Sequence, residues 1–171
     1  KIVSLYDISA KSAWSINNRS GAIGAYSMTD GAENSATAIQ IEDWKQKMPA
    51  FERCDYWGKG WYLPSVKELL TISENKALLN ANLNDLLLHT YWSSTEEANP
   101  EKANALAINF INNEQICVPK SNIYYVRAVA AFGVASEAKP QRTTAPYKVG
   151  DYYYDGVREG VVFEIWDNGN S

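Results

Sequence analysis

Apolar and polar positions alternate over Lys1 to Leu5, as they do along a half-buried strand. Gly21 to Gly31 is rich in Gly, Ser, Thr and Asp and reads as loop. From about Ala32 to Lys47 the period lengthens. Ala36, Ile39 and Trp44 make an approximate apolar face, which predicts a helix stopped by Pro49. Gly58-Lys59-Gly60-Trp61-Tyr62-Leu63-Pro64 is a turn followed by an extended entry. Ser65-Val66-Lys67-Glu68 then has the spacing in which a serine hydroxyl and a glutamate carboxylate cap each other's backbone donors. This predicts a helix to about Glu74, with Leu69, Leu70 and Ile72 inward. Leu78 to Leu88 is a shorter helical or turn-rich stretch.

From Tyr91 the period shortens. Tyr91–Thr95, Ala105–Ile111, Gln115–Val118 and Tyr124–Phe132 read as strands, with Asn112-Asn113 as a hairpin tip. Few connections have the strand–helix–strand form of a parallel sheet, so the class is α+β. Gly133 to Pro146 lacks an apolar period and reads as a linker. Strand character returns in Asp151-Tyr152-Tyr153-Tyr154 and Val161-Val162-Phe163-Glu164-Ile165-Trp166. Asp167-Asn168-Gly169-Asn170 is a hairpin signal whose second strand would lie past Ser171. The expected organisation is a domain over 1–132, a linker over 133–146 and a strand segment over 147–171. That segment is expected to complete a sheet edge beside residues 1–5, in its own chain or in a neighbour, because either end would otherwise expose an apolar edge.

Composition adds mainly exclusions. With 171 residues, 46% hydrophobic and 21% charged, the chain is long and apolar enough for one substantial core. A net charge of -4 without a Lys/Arg cluster argues against a nucleic-acid partner. No apolar run approaches the ~20 residues of a membrane-spanning helix. The start at Lys1 reads as a processed or excised segment. Cys54 and Cys117 are too far apart for a CxxC pattern, and their pairing stays open. The 11 Tyr and six Trp suit a loop-rich fold in which rings cover core and present polar edges.

Gly60-Trp61-Tyr62-Leu63-Pro64-Ser65-Val66-Lys67-Glu68-Leu69, Tyr91-Trp92-Ser93-Ser94-Thr95-Glu96 and Tyr125-Val126-Arg127-Ala128-Val129 occur in the order of one family's signature. Asp30-Gly31-Ala32-Glu33-Asn34 and Cys54 also resemble it. The chain thus resembles the Lcl C-terminal domain, the end domain of a collagen-like bacterial adhesin, related to the Fibrobacter-type major paralogous domain. The resemblance spans about Lys1 to Phe132. It implies a C-type-lectin-like fold: two helices packed on twisted, mainly antiparallel sheets. It also implies a secreted or cell-surface location and recognition of a glycan or a host or partner protein. In such domains a segment like Gly160-Val161-Val162-Phe163 precedes a strand like Lys1–Leu5, so the order here looks permuted or cut from a tandem array.

Candidate ligand-binding residues are Glu96, Glu97, Asn99, Asn112, Asn122 and Tyr124. They combine directional hydrogen-bonding groups with an aromatic ring on or beside the loops between the late strands. For Trp61–Pro64 and Trp92 the core reading is preferred. Ser93 to Thr95 are expected to satisfy backbone groups, and Arg127 to be a buried charge paired with an internal carboxylate. No enzyme is expected. His89 is the only histidine, so both a serine relay and a Cys54 nucleophile would depend on it, and Leu86-Leu87-Leu88 gives it a structural setting. Adjacent Glu96 and Glu97 would face opposite sides of a strand and could not share a glycosidic bond. No cofactor is expected, with calcium left open: Glu97-Ala98-Asn99-Pro100-Glu101 and Trp166-Asp167-Asn168 only echo calcium-lectin motifs. The competing reading is a subunit of a surface filament or homo-oligomer, assembled by exchange of the C-terminal strand.

Overall fold

The computed structural model describes residues 1–16, 21–99, 103–132 and 147–165. The expected linker over 133–146, the echo at Pro100-Glu101 and the Asp167–Asn170 hairpin signal lie outside the described residues. The elements run β1 (Ile2–Val3), β2 (Ser9–Ala13), α1 (Gly31–Ala38), α2 (Trp44–Lys47), α3 (Pro49–Trp57), β3 (Trp61–Tyr62), α4 (Val66–Glu74), α5 (Lys76–Leu79), β4 (Thr90–Glu96), β5 (Asn104–Asn109), β6 (Glu114–Pro119), β7 (Ile123–Val126), β8 (Val129–Ala130), β9 (Tyr152–Tyr154) and β10 (Glu159–Val162). The class is α+β. Five helices are described where two were expected.

Two five-stranded sheets carry the fold, ordered β3-β8-β1-β10-β9 and β2-β7-β4-β5-β6. Their ladders are antiparallel apart from the single Tyr91–Tyr125 bridge between β4 and β7. In the first sheet β10 lies between β1 and β9, with Ile2 opposite Val162 and Val3 opposite Val161. Gly160 permits this approach, since a Cβ there would meet Val3 O at 2.4 Å. Tyr124 to Phe132 is not one strand. It breaks between β7 and β8, where Arg127 turns fully inward.

The helix capping pattern is realised in α4. Ser65 Oγ accepts from Glu68 N at 3.4 Å, and Glu68 Oε2 accepts from Ser65 N at 2.7 Å. Glu68 also accepts from Gly31 N at 3.1 Å and from Tyr62 Oη at 3.0 Å. Burial and then this carboxylate drive the Tyr62 phenol far above its ordinary pKa. One carboxylate therefore ties α1, β3 and α4 together.

The long helix expected over 32–47 divides into α1 and α2, and its apolar face points the other way. The buried residues of α1 are Gly31, Asn34 and Ala38, whereas Ala36 and Ile39 are exposed. Gly31 packs against the backbone of Leu63 and Ser65. Asn34 donates to Ser27 O at 2.7 Å and to Ser94 Oγ at 3.1 Å. These polar ties hold the small, hydrogen-bonded face inward. Pro49 does not end helical structure but opens α3, at a first-turn position where the missing N–H has no intrahelical partner to lose.

Buried charges are paired. Arg127 Nη2 lies 2.7 Å from Asp7 Oδ1, and the guanidinium donates to Ser4 O and Asp85 O at 2.9 and 2.7 Å. Burial raises the Asp7 carboxyl despite this guanidinium. Cys54, buried in α3, and Cys117, exposed on β6, are not joined to each other. Burial pushes the Cys54 thiol well above its ordinary range, which makes it a poor nucleophile.

Candidate functional site

The outward turn of α1 creates a pocket. Ala32, Ala36 and Ile39 line it from one side, Phe51 and Asp55 of α3 from another, and Gly60, Trp61 and Tyr62 from a third. Ala131 and Arg158 close it, the latter from the turn before β10. Its volume is about 400 Å³, within the range of small-ligand sites. The walls are mostly apolar, and their charged groups are already committed. Asp55 faces Lys45 at 3.3 Å. Arg158 Nη2 lies 3.1 Å from Asp155 Oδ2, and its Nη1 donates to Ala131 O at 2.7 Å. Ser35, also in the wall, has a buried hydroxyl without a hydrogen-bond partner.

Arg158 owes its place to the β9–β10 turn. Asp155 Oδ1 accepts from Val157 N at 2.9 Å and from Arg158 N at 2.7 Å, an aspartate-stabilised turn. Burial opposes ionisation of Asp155, but these N–H donors and the guanidinium outweigh it and hold the carboxyl below its usual range. Gly60, at φ +85°, leaves room for the guanidinium: a Cβ there would sit 3.4 Å from Arg158 Nη1.

A second recess of about 400 Å³ is lined by Asp7, Asp85, Leu86, Leu88, His89 and Tyr125 among others. His89 stacks on Tyr125 at 3.8 Å between centroids and 10° between planes. Among the described residues no group of three or more His, Cys, Asp and Glu gathers as metal ligands.

The sequence-selected residues do not form one surface. Glu96 is buried, and its carboxylate accepts from Ile23 N and from Gly24 N at 3.0 Å while pairing with fully buried Lys120. It holds an internal loop and presents no open oxygen to a ligand, contrary to the expectation. Glu97 is half-buried and accepts from Asn104 Nδ2 at 2.8 Å. Asn99 is also half-buried. Asn122 donates to Tyr124 Oη at 3.4 Å, and the Tyr124 ring meets Trp92 edge-on at 5.0 Å. Asn112 is exposed and bonds to Glu114 at 2.9 Å. The β5–β6 register puts Asn109 opposite Glu114 and Asn104 opposite Pro119. Asn112 therefore sits at the opposite end of that hairpin from Glu97, about 17 Å away at strand rise.

The model of the Lcl C-terminal domain matches residues 5–130. The chain belongs to the Lcl C-terminal domain family. No curated protein matches it. All three signature runs lie inside the matched span of this Lcl C-terminal domain, whereas Ala131 and Arg158 lie outside it. The pocket is thus built jointly by the family domain and the C-terminal hairpin. Sequence reasoning missed Ser35, Lys120 and Arg158. For Arg158 a local signal existed in Asp155-Gly156-Val157-Arg158, a turn sequence with aspartate at its start. For Ser35 and Lys120 there was none.

Proposed function

We propose that this Lcl C-terminal domain is a non-catalytic ligand-binding module of a secreted or cell-surface bacterial protein, of adhesin type, with a C-type-lectin-like fold. The reading rests on the family membership and on one observation: the open, mostly apolar pocket between α1, α3, β3 and the C-terminal hairpin. Exposed apolar residues on a helix that the fold keeps turned outward are what a recognition surface requires. The ligand is a glycan or a partner protein.

A broad glycan array probed with the intact chain, first with calcium and then with chelator, tests the reading. Paired with it, biotinylated chain is used to recover binding partners from host-cell surface proteins. A hit lost in chelator makes the domain a calcium-dependent lectin. A hit that survives chelator makes recognition direct. Failure of both the array and the capture overturns the ligand-binding reading.

Strand exchange is the second reading. It is favoured by the place of β10, an inner strand of its sheet that is contributed from beyond a 14-residue connection over 133–146. Light scattering over a concentration series separates a monomeric binder from a filament subunit.

A further inference from the structure

The recess beside His89 has a chemistry that the pocket between α1 and α3 lacks, and the two share no lining residue. Its lining comes from the segment between β1 and β2, the segment between α5 and β4, and β7. Charge is the first observation. Asp7 and Asp85 line the recess, and no lysine or arginine does. Fully buried Arg127 pairs with Asp7 Oδ1 at 2.7 Å, but from Asp85 it takes only the backbone oxygen. The carboxylate of exposed Asp85 accepts from Asp7 N at 2.9 Å and has no ion pair among the described residues. Two carboxylates against one guanidinium leave one negative charge, at the open end of the recess.

The second observation is that Asp7 itself is poorly compensated. Its side chain is only 10% exposed, and Oδ1 is buried without an aligned hydrogen-bond donor although Arg127 Nη2 is close. Burial raises its carboxyl, Arg127 opposes that, and Asp85 adds to the rise. A cation seated in the recess would favour both carboxylates, Asp85 by contact and Asp7 through its field. The third observation is surface. His89 and Tyr125, both half-buried, stack in parallel and make a flat wall. Tyr91 braces that wall, edge-on to Tyr125 at 5.9 Å. Leu86 and Leu88 form an apolar rim, each about half exposed, held in place by fully buried Leu87 between them.

We propose that this recess binds an arginine side chain presented by a partner protein, its guanidinium stacked on the His89–Tyr125 pair and joined to Asp85, its methylenes over Leu86 and Leu88. A planar guanidinium can stack on a ring face and fork onto a carboxylate together, whereas an ammonium is a compact point charge. A free guanidinium compound would leave the leucine rim in water, while a protein surface covers it. The site is a second one, separate from the pocket at α1, and it commits to a protein partner.

The test is an NMR titration of isotope-labelled intact chain, read at the Leu86, Leu88, His89 and Tyr125 amides. The probes are N-acetyl-L-argininamide, N-acetyl-L-lysinamide and N-acetyl-L-citrullinamide, the last of nearly the same shape as arginine but uncharged. The arginine derivative should saturate at roughly millimolar concentration, as befits so small a ligand. The lysine derivative should bind several-fold more weakly, and the citrulline derivative should not saturate. Asp85→Asn keeps an oxygen for Asp7 N and should weaken arginine binding by about five-fold. Leu88→Lys, which fixes a competing cation at the rim, should abolish it. Both variants should keep the melting transition of the unaltered chain. Ala36→Arg, which blocks the pocket at α1, should leave arginine binding unchanged, so failure here is distinguished from failure of the ligand-binding reading. Equal binding of the lysine or citrulline derivative would overturn the proposal. So would arginine binding that survives Leu88→Lys or is unaffected by Asp85→Asn, or shifts that fall outside the recess.

Discussion

Glu96 and Lys120 show how a polar pair can be placed deep in a small domain. Lys120 Nζ lies 4.5 Å from the Trp14 ring centroid, and Glu96 spends its remaining acceptor capacity on the Ile23 and Gly24 N–H groups. Removing only the cation leaves a buried carboxylate without its counter-charge. Lys120→Met should therefore cost about 3–5 kcal/mol in urea unfolding. The double variant Lys120→Met, Glu96→Gln should recover much of that loss, because a glutamine oxygen still accepts from the loop amides while the charge is gone. Recovery of less than half would show that the pair does more than balance charge.

Asp155 sets a pH dependence at the same scale. Its folded-state carboxyl lies below the usual value, so its contribution is fully present above about pH 4 and is lost as pH falls through the lowered value. Limited proteolysis between Tyr152 and Phe163 should accelerate over that acid window, and Asp155→Asn should remove the dependence while weakening the turn at every pH.

The helices and strands differ in how much of their placement their own residues reveal. The Ser65–Glu68 capping pair identified α4 because the cap is a local interaction, and Val66, Leu69 and Ile72 are buried in it. The strands β4, β5 and β6 were legible for the same reason, as alternation and the Asn112-Asn113 tip are local too; Asn113 does adopt positive φ, at 58°. The orientation of α1 was not legible. It depends on Gly31 fitting against Leu63 O and Ser65 N and on Asn34 reaching Ser94 across 60 positions of sequence. The candidate site failed for a related reason. Glu96 looked like a loop-edge carboxylate, and only the distant Lys120 makes it an internal one.

Gly160 is the element-scale counterpart of these contacts. A Cβ would strike Val3 O at 2.4 Å and crowd Ile2 Cβ at 3.2 Å, and both are parts of a strand with no room to give. Gly160→Ala should push β10 away from β1 at a cost of about 1–3 kcal/mol. Hydrogen exchange at Val162 and Phe163 should speed up while that of Leu69 and Ile72 in α4 changes little. Uniform acceleration across both elements would mean that β10 does not open separately from the rest.

At the scale of the whole molecule, the C-terminal hairpin joins the family domain by covering an edge. Val161 and Val162 are fully buried and Phe163 nearly so, and at about 1.5–3 kcal/mol each they contribute roughly 5–9 kcal/mol of apolar burial. Deleting Tyr147 to Ser171 should therefore lower stability by several kcal/mol and expose Ile2 and Val3 as an open edge. Adding the same segment back as a peptide should restore the transition, and unchanged stability on deletion would mean the hairpin is not an integral part of the sheet. Closed and strand-exchanged forms share these contacts, so the length of the connection decides between them. Its 14 residues reach at most ~45 Å when fully extended. Returning the strand to its own chain costs only a slowly growing closure entropy. At micromolar concentration light scattering should show a monomer. Phe132 and Tyr147, which flank the connection, bring their rings to 5.6 Å between centroids. A connection cut to eight residues, ~26 Å when extended, still spans the gap, and deleting six residues from within Gly133–Pro146 should leave a stable monomer. A shortened chain that instead moves to exchanged dimers, or to head-to-tail fibres where the exchange does not close, would show that the strand docks on a neighbour rather than on its own chain.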